Sequence, residues 1–482
     1  MTPKSRAAYI NYARFMARQF VDAGIPSVAV SATTDADDRR RALVDLREGR
    51  LNAVFAVDLF NEGVDVPEID TVLFLRPTES STLFLQQLGR GLRLSDDKAC
   101  LTVLDFIGNQ RAEFRFDRRF RSLTGTTKRQ LQRQLEQDFP YLPPGCHIQL
   151  DRVAKEIVLG NVRRALRLPW RELARDLREL GEGTTLPEFL DEGGFDLEDL
   201  YSGTRRGWTA LRHEAGFTTA GTEADDELLV RGIRRMLHVD DPERLDLVRT
   251  LLRAEGDRAP GSMPTERRRR LRAMLHFTLW GSGRPIEEID ASEAAVRRSG
   301  LRDELAQVAD VLDERRPRVT RPLEDLPGVP LQVHARYTRD EALAAFGLMN
   351  PQSVREGVKY LESERADLFF VTLQKTEQQY SPSTMYRDRA ITPRLFQWES
   401  QSTTTERSRT GQRYLHHEEM GTSVHLFVRE TKDNSLGIAA PYLYAGPAHY
   451  TSHRSERPIE IIWQLEQELP ADVFHAARAV AG

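Results

Sequence analysis

The sequence predicts three segments in order: an α/β domain built on a parallel sheet over residues 1–124, a helical region over 125–325, and a small β-rich α+β domain over 326–482. Three observations predict it. In the first segment, short apolar runs alternate with stretches of helical period, the pattern of a parallel sheet with helices on both faces. The middle is rich in arginine and dominated by 3.6-residue periodicity. Beyond Pro327-Gly328-Val329-Pro330, apolar runs of strand length are separated by turn residues, as in a small barrel or sandwich.

Taken in order, Tyr9 to Asp22 repeats Tyr12, Phe15, Met16, Phe20 and Val21 near the helical period, and Gly24-Ile25-Pro26 stops it. Ser27 to Val30 reads as a strand. Thr33 to Asp38 supplies caps and turns before a helix over Arg39 to Glu48, closed by Gly49. Strands over Asn52 to Val57, Thr71 to Leu75 and Leu101 to Leu104 complete the sheet. Basic residues then cluster from Arg111 to Arg133, interleaved with Phe106, Phe114, Phe116 and Phe120. They suit either phosphate tracking or an amphipathic helix whose Phe face packs on the sheet, and the two readings are compatible. Cys146 to Leu150 reads as a short strand. Helices follow from Val153 to Glu314, among them Trp170 to Leu180, Glu266 to Trp280 and one capped by Asp290. Within them, Arg267 to Arg270 reads as a solvated face.

Two cysteines, Cys100 and Cys146, make no disulfide framework or zinc spacing, and Cys100 beside a strand reads as a small buried hydrophobe. No apolar run reaches eighteen residues, so no membrane span is expected, and the chain reads as cytoplasmic in a reducing compartment. A net charge of −4 provides no global field for nucleic acid, so such binding would use local patches.

The chemistry concentrates between Val54 and Arg93. An apolar strand ends at Asp58, and Glu62-Gly63-Val64-Asp65 follows, where Gly63 lets backbone approach a ligand closely. Ligands of parallel sheets sit beyond the carboxyl ends of strands. A helical run then delivers Gln86-x-x-Gly89-Arg90-x-x-Arg93, with Leu85 and Leu88 as core. Two arginines three apart share a face, and their forked permanent charge suits a transferring γ-phosphoryl group.

These two runs resemble motifs V and VI of superfamily 2 helicases, the signature of the second RecA-like domain. The resemblance implies nucleotide contacts at Gly63, Asp65, Gln86 and Gly89, a nucleic-acid contact at Asp58, and γ-phosphate contacts from Arg90 and Arg93, with Arg93 as the finger. It implies ATP and Mg²⁺ as cofactors, nucleic acid as the track, DNA ahead of RNA, and a first RecA-like domain as partner, upstream on the same polypeptide or on another chain. Relatives open with a buried strand before the first helix, whereas Met1 to Arg6 is polar, so the sheet is expected to lack its first strand. Gly-Lys followed by Ser or Thr occurs nowhere, and the Asp-Glu pairs lie in helical or loop sequence. The chain is therefore expected not to hydrolyse ATP alone.

In the last segment, Arg407, Arg409 and Arg413 follow the hydroxyl-rich run Ser400 to Thr405, near Trp398, Tyr414 and Tyr450. As a group they suit phosphates and bases; singly, the aromatics read as core and the arginines as a solvated loop. His416-His417-Glu418-Glu419 lacks ligand spacing and reads as a polar loop, so no metal site is expected. The runs FFVTLQKTEQQYSP, LFQWESQSTTTERSRTGQRY and YAGPAHYTSHRSERPIEIIWQL resemble the uncharacterised domain that follows the helicase core in a bacterial family. Many members of that family also carry a phospholipase-D-type nuclease, which the resemblance implies as a partner. Two functions fit: the C-terminal half of an ATP-dependent DNA helicase or translocase, or a non-enzymatic DNA-binding or docking protein derived from one.

Overall fold

The computed structural model describes the chain except residues 1–2, 58–66, 76–80, 94, 96–97, 107–115, 125, 127, 140–141, 143–144, 166–168, 204–205, 218–223, 254–264, 355, 375–387 and 480–482. It divides into two compact units, Met1–Arg167 and Leu168–Gly482.

The first unit runs α1 (Pro3–Asp22), β1 (Ser27–Val30), α2 (Ala36–Arg47), β2 (Ala53–Ala56), β3 (Thr71–Phe74), α3 (Ser81–Gly91), β4 (Thr102–Asp105), α4 (Phe116–Thr124), α5 (Lys128–Glu136) and α6 (Arg152–Ala165). Its strands pair in parallel, β1 with β2 and β3 with β4, because a helix between strands returns the chain to the same end of the sheet. Ala13 and Ala17 of α1 close on Phe55, flanked by Met16 and Phe20. Tyr12, Phe15 and Val21, expected on that buried stripe, are 46, 53 and 53% exposed. The apolar arc of α1 is wider than the surface it covers. Phe116 and Phe120 pack with Leu131, Leu135, Val158 and Val162 in a cluster of α4, α5 and α6, instead of lying against the strands as their spacing suggested. Cys100 is exposed, against expectation, and Cys146 to Leu150 forms no strand.

The second unit begins with helices α7 (Trp170–Leu180), α8 (Leu186–Gly193), α9 (Leu197–Leu200), α10 (Trp208–Glu214), α11 (Ala224–Met236), α12 (Pro242–Leu252), α13 (Thr265–Trp280), α14 (Ile289–Arg298) and α15 (Arg302–Glu314). It continues through β5 (Arg321–Pro322), β6 (Gln332–Val333), β7 (Arg336–Tyr337), α16 (Arg339–Ala345), β8 (Val358–Leu361), β9 (Ala366–Thr372), β10 (Arg389–Ala390), β11 (Leu395–Glu399), α17 (Arg409–Leu415), β12 (Ser423–Arg429), β13 (Tyr442–Arg454), β14 (Glu460–Leu465) and α18 (Ala471–Ala479). Helix starts follow their caps: Thr185 and Glu188, like Thr338 and Glu341, close reciprocal capping boxes. Asp290, expected as a cap, sits in the first turn of α14 and pairs with Arg272.

Eight strands form one open mixed sheet in the order β10-β11-β14-β13-β12-β9-β8, with β7 added to β13, rather than a barrel or sandwich, and β5 pairs separately with β6. β9 and β12 run parallel; the other neighbours are antiparallel. β9 is buried at every position: Leu368 and Phe370 enter one core, Phe369 and Val371 the other. A strand covered on both faces needs no alternation of apolar and polar residues. Helix α13 joins this sheet to the helices. Leu275, Leu279 and Trp280 pack with the helical cluster, while Leu271, Met274 and Phe277 pack toward the sheet. Gly232 of α11 admits that crossing, since a Cβ there would lie 2.1 Å from the Leu279 carbonyl oxygen. Among the described residues no helix is long and apolar enough to cross a membrane.

One carboxylate ties these elements together. Glu341 is fully buried. It accepts from Arg244 Nη1 at 2.8 Å, His238 Nε2 at 2.7 Å, Thr278 Oγ1 at 2.5 Å and the Thr338 backbone N–H at 2.7 Å. Burial alone would raise its pKa, but the positive charges of His238 and Arg244 outweigh that and hold it far below the usual carboxylate range. Because the folded pKa is depressed, the stabilisation is complete above the unfolded value of about 4.3 and drains away as pH falls below it. Glu341→Gln is expected to cost about 1.5–3 kcal/mol at neutral pH, by removing one of the two buried carboxylates, with Asp241, that balance Arg244. The deficit relative to wild type narrows at about pH 3. Urea denaturation at both pH values checks this; a deficit unchanged by pH would contradict it.

Candidate functional site

Helix α3 carries the sequence-predicted arginines, and its inner face fixes where they lie. Phe84 is buried against Phe74 of β3, with ring centroids 4.9 Å apart. The Arg119 guanidinium lies over the Phe84 ring at 4.2 Å and reaches Asp105, the last residue of β4, at 3.0 Å. Burial pushes the Asp105 carboxyl up and the Arg119 guanidinium down, and their mutual attraction opposes both shifts. The pair is therefore a clamp among α3, α4 and the two strands. Leu85, expected in the core, is 40% exposed; Leu88 is half-buried.

At the C-terminal end of α3, Lys98 Nζ donates to the carbonyls of Gly91 at 2.9 Å and Pro67 at 2.6 Å. An ammonium there satisfies an orphan helix carbonyl and complements the helix dipole. Lys98 thus ties the C-terminal end of α3 to Pro67. The sequence reading missed this residue. Its only signal is that it is one of seven lysines in an arginine-dominated chain.

Gln86, Gly89 and Arg93 are brought together at the exposed end of α3 and the turn after it. Asp58, Gly63, Asp65 and the Arg90 side chain lie outside the described residues. The two glycines differ. A Cβ on Gly91 would meet Leu101 Cδ1 at 2.7 Å, whereas a Cβ on Gly89 would meet nothing within 4 Å. A side chain at 91 would therefore have to displace the end of Leu101, whereas one at 89 would displace nothing.

In the second unit the arginines separate. Arg407 and Arg409 are exposed. Arg413 is not available for nucleic acid: its guanidinium makes a bidentate pair with buried Asp367, at 2.6 and 3.0 Å, and covers the Tyr360 ring at 3.9 Å. Trp398 and Tyr414 are core, stacked on or edge-packed against Phe369 at 4.1 and 5.2 Å. Tyr450 is half-buried, its hydroxyl 2.6 Å from His453 Nδ1, and His453 Nε2 lies 3.1 Å from Glu406.

The run His416 to Glu419 is a turn after α17, as expected of a polar loop, but it is not isolated. His449, from β13, lies with Nδ1 2.8 Å from Glu418 Oε1 and Nε2 3.0 Å from Glu466 Oε1. With His417 they line a cleft of about 510 Å³.

Two substitutions separate fold from site. Gly91→Ala is expected to lower stability by about 1–3 kcal/mol through overpacking. Gly89→Ala is expected to leave it unchanged or raise it by up to about 1 kcal/mol through helix propensity. Thermal melts of the two variants check the pair. Separately, Arg413→Ala should cost about 3–5 kcal/mol by stranding Asp367, and Arg407→Ala under about 0.5 kcal/mol as a surface change; equal costs in urea would contradict the assignment.

Residues 3–95 match the model of the helicase conserved C-terminal domain, and residues 331–477 match a domain of unknown function, DUF3427. A 51.5 kDa protein of a Lactococcus phage (isolate 7-9) is 38% identical over 96 residues, which is 20% of this chain and 21% of that protein. The DNA 3'-5' translocase XPB2 of Sulfurisphaera tokodaii is 35% identical over 92 residues, 19% of this chain and 20% of that protein. The pre-mRNA-splicing ATP-dependent RNA helicase prp28 of Aspergillus clavatus is 28% identical over 102 residues, 21% of this chain and 12% of that protein. The chain thus spans only about a fifth, or less, of the curated relatives it matches. Within that compass, residues 3–95 are the C-terminal, second RecA-like domain of the superfamily 2 helicases, joined in this chain to a DUF3427 domain.

Proposed function

We propose that this chain supplies one wall of the nucleotide site of an ATP-dependent DNA helicase or translocase, and that a first RecA-like domain supplies the other. The observation that carries this is the end of α3. Gln86 and Gly89 sit exposed on a helix whose opposite face is clamped by Arg119 and Asp105, and Arg93 sits exposed in the turn that follows it. An exposed, Cβ-tolerant glycine beside exposed polar residues is what close approach by a second surface requires.

In this reading Arg93, with Arg90, meets the negative charge that spreads over the γ-phosphoryl oxygens as it transfers, while Gln86, Gly89, Gly63 and Asp65 shape the nucleotide's bed. Bound Mg²⁺–ATP supplies the phosphoryl chemistry. This chain has neither the glycine-rich loop with its lysine nor a carboxylate box at a strand end, so both belong to the opposite wall. Nucleic acid runs past Asp58, and DNA is preferred because the DNA-translocase relative is more similar than the RNA-helicase one.

Among the described residues the motor-like segment carries two parallel pairs, β1–β2 and β3–β4. For function the chain divides into the motor-like segment 1–124, the helical region 125–325 and the β-rich segment 326–482, where Arg407 and Arg409 are the remaining candidates for phosphate contacts and a nuclease is a candidate partner.

With a first RecA-like domain supplied, Arg93→Ala is expected to cut ATP turnover by a factor on the order of a thousand, as loss of an arginine finger does. A steady-state assay with DNA present checks this, with a thermal melt of the variant showing that the fold is kept. A loss under about threefold for Arg93→Ala would contradict the assigned role.

A further inference from the structure

The cleft on the DUF3427 side of the chain holds chemistry that the nucleotide reading leaves unused. Its walls carry Glu324, Asp325, Glu418 and Glu466 against a single arginine, Arg321, and three histidines, His417, His425 and His449. His425 is spoken for, with Tyr444 Oη 2.6 Å from one ring nitrogen and Ser423 Oγ 2.9 Å from the other. The other two histidines are arranged differently.

His449 has a carboxylate oxygen on each ring nitrogen, Glu418 at 2.8 Å and Glu466 at 3.0 Å. A neutral imidazole carries one N–H and can satisfy only one of them. The second contact needs a cation, either a proton on the ring or a metal ion between ring and carboxylate. His417 stands beside them, and it, Glu418 and His449 each offer a ligand atom, all within 4.8 Å of one another. Zinc bonds of about 2.0–2.2 Å hold tetrahedral ligand atoms roughly 3.3 Å apart, so no pair would close by more than about 1.5 Å.

We propose that Glu418, His449 and His417 bind a divalent transition-metal ion of the zinc class in this cleft, with Glu466 orienting His449 from its far nitrogen. Imidazole ligands select zinc-class ions over Mg²⁺ and Ca²⁺, which take oxygen donors. A carboxylate on the outer nitrogen of a ligating histidine fixes its tautomer and raises its basicity, and Glu466 stands where that partner belongs. The four acidic side chains around the cleft provide the negative field that a dication needs.

The site has one internal cost, which also marks it experimentally. His417 Nδ1 lies 3.2 Å from the Thr422 carbonyl oxygen, and its Nε2 accepts the Tyr450 backbone N–H at 3.0 Å. Ligation through Nε2 keeps the Thr422 contact as the outer hydrogen bond and releases the Tyr450 N–H. A surface cluster that merely attracts cations would leave that amide alone.

The test uses the full chain, stripped with a chelator and titrated with Zn²⁺ and with Co²⁺. One ion per chain is expected, with the visible absorption of tetrahedral Co²⁺ and faster hydrogen exchange at the Tyr450 amide when zinc is bound. His449→Ala and Glu418→Gln should abolish binding. Glu466→Gln, which leaves every ligand in place, should weaken it by roughly ten- to a hundredfold. Glu406→Gln, outside the cleft, should leave it unchanged. Failure of the wild type to bind at micromolar zinc, binding that survives His449→Ala, or equal competition by Mg²⁺ would each overturn the proposal.

Discussion

The end of α3 depends on a guanidinium buried beneath it. Arg119 is taken out of water, laid on the faces of Phe84 and Phe74, and neutralised by Asp105 at the end of β4. Withdrawing a charge from solvent is costly unless it is paired, and here one carboxylate and two ring faces provide the pairing. The geometry that satisfies Arg119 also sets the height and rotation of α3 on β3 and β4. Lys98 then secures the C-terminal end, donating to the last carbonyl of α3 and to that of Pro67. What remains outward is the surface bearing Gln86, Gly89 and Arg93. A rigid inner face and a tolerant outer one are what a shared nucleotide site asks of each contributor.

The second unit applies the same logic on a larger scale. Its arginines look like a nucleic-acid surface in composition, yet the structure assigns several of them to the interior. Arg244 is committed to Asp241 and Glu341, Arg270 to Glu266 and Glu364, Arg267 to Glu243, and Arg413 to Asp367. Most of these pairs join elements far apart in sequence, so they fix how helices meet the sheet. Arg267 and Arg270, in a run of four arginines, illustrate the point: two residues of an apparently solvated face are pinned to other elements. Arg407 and Arg409 are left outside, on a short stretch before and within α17.

Local patterning was enough for most helices, because periodicity and caps act within a turn or two. Trp170–Leu180 and Trp208–Glu214 begin and end within a residue of where apolar spacing, glycine and proline place them. The parallel character of β1 to β4 followed from strand and helix order. Non-local facts were not legible. β13 extends to Arg454 through Ala448-His449-Tyr450-Thr451-Ser452-His453, a polar run that becomes strand only because β14 pairs with it. The single open sheet, in place of a barrel or sandwich, rests on the β9–β12 parallel pairing across fifty residues of intervening chain. Motif residues Gln86, Gly89 and Arg93 could be found from spacing, whereas Lys98 and His449 act through partners that no spacing brings near them. Arg413 is the converse: right in type for a phosphate, and claimed by Asp367.

The account stands on the half-site, and the most direct measurement is ATP hydrolysis by the purified chain, alone and then mixed with a separately produced first RecA-like domain, each with and without DNA. A half-site gives no turnover from the chain alone and DNA-stimulated turnover from the mixture. Turnover by the isolated chain would contradict it, and so would a mixture no more active than the first domain by itself.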